Sequence, residues 1–116
     1  MSSDLVLVLT TVPDRPANGD AAYETLPRVL VEERLAACVN VLPPMQSVYR
    51  WKGVVERETE RQLVIKTTAD LVPALQARLA QLHPYELPEF LVVSVAGGSE
   101  AYLDWLRQAG DLEAGG

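Results

Sequence analysis

Along the chain the elements follow the order β-α-β-β-α-β-α, which predicts an α+β fold: a ferredoxin-like sandwich of βαββαβ type with an added C-terminal helix. Two observations carry this reading. Short apolar runs of strand length (LVLVL, QLVIK, FLVVSV) alternate with segments whose leucines recur at helical spacing. Between the two predicted core helices, CVNVLPPMQSVYRW and VVERETERQLVIKTT form a hairpin longer than the rest of the sheet.

Each element has its own local reason. LVLVL at 5–9 is apolar on both faces, as a central strand is. RPANGD at 15–20 is a loop by composition. A helix follows within 20–37, with Ala22, Leu26, Val29 and Leu30 on one face. Pro27 sets two alternatives: a start near Thr25 with the proline in the first turn, or a start near Asp20 with a kink. Pro43-Pro44 cannot donate ladder hydrogen bonds, so the next strand lies at an edge and is interrupted there. Lys52-Gly53 is a tight turn, and its hairpin projects beyond the core. Leu71, Leu75, Leu79 and Leu82 define a second helix over 70–82, with Asp70 as N-cap and Pro73 in its first turn. FLVVSV is another apolar strand, broken by Gly97-Gly98. Ser99 then caps EAYLDWLRQA, with Glu100 against the helix's positive end.

The chain's 116 residues fit one domain, 1–116, with 1–3 and 111–116 as flexible ends. A formal charge of −6 disfavours nucleic acid and anionic membranes as partners, since both need a basic face. Cys38 is the only cysteine, so no intrachain disulfide forms and a reducing compartment is expected. No secretory leader is visible, and no apolar run approaches the roughly 20 residues that span a bilayer; a cytoplasmic protein is expected.

QLHPYELPEF at 81–90 holds the only histidine. His83 and Leu87 each precede a proline, which drives both out of helical geometry and stiffens the corner. Two readings stay open. His83 with Glu86 and Glu89 nearby could hold copper or zinc. Alternatively His83 bonds the last helical carbonyls and the corner is structural. Cys38, in LAACVNV, reads as an inert apolar thiol. Tyr49, Arg50 and Trp51 at the hairpin tip suit contacts between copies of the chain. Glu56, Glu58 and Glu60 share one strand face and read as a solvated acidic row, of the kind that also binds cations loosely. No phosphate-binding glycine loop and no GxSxG motif is present, so an enzyme is not expected.

ERLAACVNVLP, SVYRWKG, VIKTT, LHPYELPEFLVV and AYLDWL, in this order and spacing, resemble the CutA family of divalent-cation tolerance proteins. The resemblance covers residues 5–106. It implies the same ferredoxin-like fold and a homotrimer in which the long hairpins extend neighbouring sheets, with Tyr49, Arg50, Trp51 and Tyr85 at the subunit contacts. It implies a non-catalytic role in copper and heavy-metal tolerance, with no cofactor required and a divalent ion such as copper as the bound species. His83 and Glu86 are the candidate ligands. Thr10 stands where copper-binding members carry a cysteine, so the soft thiolate is missing and weak binding is expected. The alternative is a PII-like signalling module that takes a small ligand or partner in the cleft between subunits, where the 15–20 loop could touch it.

Overall fold

A computed structural model describes residues 4–16 and 19–109. The expected flexible ends and two residues of the expected loop, Ala17 and Asn18, lie outside the described residues. In order, the elements are β1 (Leu5–Pro13), α1 (Ala22–Glu32), β2 (Cys38–Val41), β3 (Met45–Trp51), β4 (Val54–Thr68), α2 (Val72–Leu82), β5 (Leu91–Ser94) and α3 (Glu100–Ala109). The expected α+β order is present: an antiparallel sheet with three helices.

β4 is the spine of the sheet. Its C-terminal part pairs on one side with β1, from Leu5↔Thr68 to Pro13↔Glu60. On the other side it pairs with β2 and then β3, and β5 closes the far edge against β1. β2 and β3 form one edge, interrupted at Leu42–Pro44, where the two prolines have no N–H for the ladder. The β3–β4 hairpin turns at Lys52 (φ 51°) and Gly53 (φ 81°). Two successive positive φ values match the right-handed twist of the strands they join. Beyond Glu60 the hairpin runs as two strands alone among the described residues, and the molecule is drawn out to 45 Å in length.

Strand alternation splits the sheet into two faces. Val6, Val8 and Val12 of β1 and Leu63 and Ile65 of β4 are buried beneath Leu26 and Leu30 of α1 and Leu75 and Leu79 of α2. Burying each such side chain contributes about 1.5–3 kcal/mol. α3 packs on β1 and β4 and buries Leu106, while Tyr102 receives Lys66 Nζ at 3.2 Å. β5 is an apolar strand in sequence, yet Leu91, Val92 and Val93 are 54%, 48% and 43% exposed, and among the described residues no strand pairs with its outer edge.

The helix boundaries decide one open alternative and correct one local expectation. α1 starts at Ala22, so Pro27 sits inside it and withholds the N–H that would reach the carbonyl of Tyr23. α1 ends within the expected span of 20–37. Arg34 takes φ 62°, and the Arg34 and Leu35 amides donate back to Val31 and Leu30. That is a Schellman ending with arginine where glycine is usual. Asp70 is not the cap of α2: it lies in a single 3-10 turn, Ala69–Leu71, and the α2 cap position is Leu71. The Ser99 cap is present, its Oγ accepting the Tyr102 amide at 3.3 Å.

Thr10 lies on the helix-covered face, fully buried, and its hydroxyl has no hydrogen-bond partner among the described residues. A buried unpaired hydroxyl is destabilising, and valine has nearly the same shape. Thr10→Val should therefore raise the unfolding free energy by about 1 kcal/mol in urea titration. A destabilised variant would show that the hydroxyl has a partner after all.

Candidate functional site

On the sheet face opposite α1 and α2, the projecting hairpin and the HPYELP corner enclose a groove of about 920 Å³. β4 supplies Glu58, Glu60 and Gln62 to it, and β3 supplies Met45, Ser47, Tyr49 and Trp51. The register explains the set: Met45↔Glu60 and Ser47↔Glu58 are direct cross-strand pairs, so every second residue of both strands faces the groove. The corner contributes Tyr85, Glu86 and Glu89 together with Pro84 and Pro88.

His83 holds the corner in place. It is 8% exposed and follows α2 in extended geometry. Its Nε2 lies 2.7 Å from the carbonyl of Thr11. A carbonyl only accepts, so Nε2 carries the proton. Nδ1 is then the acceptor for the Tyr85 amide at 3.1 Å. Both ring nitrogens are thus used, and the neutral ring is the form that satisfies both bonds. Burial pushes the His83 pKa down, against the smaller opposing pull of the Thr11 carbonyl and the Glu60 carboxylate. The structural reading of the sequence expected His83 to bond helix-end carbonyls; it reaches across to β1 instead.

Tyr85, placed by that corner, donates its hydroxyl to Glu60 Oε2 at 2.6 Å. The tyrosine ring also packs at 4.8 Å from the imidazole. Glu60 is only 6% exposed, which corrects the expectation that the Glu56–Glu58–Glu60 row is solvated throughout. No arginine, lysine or histidine forms an ion pair with Glu60 among the described residues. Burial, the bond to Glu60 and the nearby carboxylates push the phenol of Tyr85 far above its ordinary value. Tyr49 is raised as well, by desolvation and by Glu58, Glu60 and Glu56. The groove's field is therefore negative. Among the described residues Arg15 is the one basic residue lining it, at 3.9 Å from Glu58 and largely in solvent. Glu89 accepts from Gln62 at 3.1 Å, and the same amide nitrogen donates to the Thr10 carbonyl at 2.7 Å.

The remaining sequence candidates divide. Tyr49, Trp51, Tyr85 and Glu86 meet at the groove. Arg50 lies on the opposite face of β3, near Val48 and opposite Val55, and donates to the Gly53 carbonyl. His83 touches the corner from behind, and Glu86 does not join it in a ligand set: among the described residues no three His, Cys, Asp or Glu side chains are placed to hold one metal ion. Cys38, half-buried, begins β2 opposite Lys66. What sequence reasoning missed is the burial of Glu60 beneath the corner. Its signal was the β4 alternation combined with a stiff aromatic corner, but nothing in the chain order says that the corner folds over that strand.

The sequence matches the model of the family described as CutA1 divalent ion tolerance protein over residues 6–109. A divalent-cation tolerance protein CutA from Thermus thermophilus is 45% identical over 102 residues, covering 88% of this chain and 94% of that one. A chloroplastic protein CutA from Arabidopsis thaliana is 38% identical over 104 residues, 90% of this chain and 54% of the relative. The crystal structure of CutA from Xylella fastidiosa superposes with a TM-score of 0.85 at 48% identity, covering 94% of this chain and 100% of that one.

The hydrogen bonding of His83 makes stability depend on pH. The folded pKa lies below the unfolded 6.5, so between the two values unfolding takes up a proton. The contribution is complete above the unfolded value and is lost as the pH falls toward the folded one. His83→Ala should lower stability at neutral pH by about 1–3 kcal/mol, because the Thr11 carbonyl and the Tyr85 amide lose their partner. It should also flatten the stability profile below about pH 6.5. Parallel profiles for the two proteins in denaturant titrations would contradict this role.

Proposed function

Because the chain belongs to the CutA1 divalent ion tolerance family, we propose that it is a non-catalytic protein of divalent-cation tolerance, a homotrimer of ferredoxin-like subunits that binds divalent ions weakly in the groove. The observation that carries the metal reading is Glu60, a buried carboxylate without a cationic partner among the described residues, in a groove that also holds Glu58, Glu86 and Glu89. An oxygen-only set suits hard or borderline ions loosely and copper weakly, in keeping with the absence of a thiolate at Thr10. Glu86 is the first ligand to assign. His83 joins only where the Tyr85 amide gives up Nδ1, so its chief part is to hold the corner.

Two features support the trimer. β5, at the sheet's outer edge, carries three exposed apolar residues and has no strand on its outer side among the described residues. The hairpin face with Val48, Arg50 and Val55 is likewise exposed, with Val48 at 58% and Val55 at 60%. Open apolar edges of this kind pair with another chain unless something covers them. Tyr49, Trp51 and Tyr85 then border the contact from the groove side. Among the described residues no helix is long and apolar enough to cross a membrane, and the single free Cys38 supports a reducing, cytoplasmic setting.

A second reading has its own observation. The groove has aromatic walls and a volume within the roughly 300–1,000 Å³ typical of small-molecule sites. A PII-like module that takes a small ligand beside the subunit contact would use such a groove.

Calorimetric titration with Cu(II), alongside light scattering, tests the leading reading. The expected mass is about three times the 12.7 kDa of one chain. Weak binding of about one ion per chain is expected, reduced in Glu86→Gln and in Glu60→Gln. A monomeric mass would sink the trimer, and copper binding unchanged in both variants would sink the carboxylate site.

A further inference from the structure

We draw no further inference here: the strongest candidate, the surface patch between the end of α1 and α3 where Val31 and the stacked rings of Tyr102 and Trp105 stand half-exposed beside a shallow cleft, carries nothing, because nothing in the structure shows what covers it.

Discussion

The antiparallel ladder of β4 is the constraint on which the rest depends. Fifteen residues run in one strand, and three other strands take their register from it. Strand period two then assigns each residue to a face with no further choice. Leu63, Ile65 and Thr67 go under the helices, while Glu58, Glu60 and Gln62 go to the groove. A slip of one residue would put carboxylates into the core and leucine into the groove. The same ladder that holds the core therefore positions the candidate ligands. The site's precision comes from the sheet, and the loops add only one wall.

That wall is the corner after α2. Prolines at 84 and 88 remove two backbone donors and bar helix from the residues before them. This stiffens the segment without saying where it lies. Its location is set by one imidazole, which ties the corner to β1 through Thr11 and to itself through the Tyr85 amide. Tyr85 then reaches Glu60, so a histidine on one element fixes the surroundings of a carboxylate on another. The coupling is local and mechanical. It also explains why a lone histidine between acidic residues in the chain need not be a metal ligand: both of its nitrogens can be consumed by the backbone.

Much of the fold was legible. The apolar runs, the proline break in the edge strand, the Lys52-Gly53 turn and the stop at His83 all depend on local geometry, and local geometry is written in neighbouring residues. The one misplacement was at a helix start. Asp70 is a good cap by type, yet a 3-10 turn precedes α2 and passes the cap position to Leu71. Pro27 offered two starts, and the interior position was decided by packing of Leu26 and Leu30 on the sheet, which outweighs one missing hydrogen bond.

By itself the sequence determined the element order, the hairpin, the acidic balance and the family, since each is a property of composition, period or ordered motif. Tertiary structure alone decided which residues share a site. Tyr49, Glu60 and Tyr85 stand far apart along the chain, and only the ladder register and the corner's bond to Thr11 bring them together. It also decided the state of each group. Whether a carboxylate is solvated or buried, and whether an imidazole has a free lone pair, depends on what covers it, and covering is a long-range contact that no local pattern encodes.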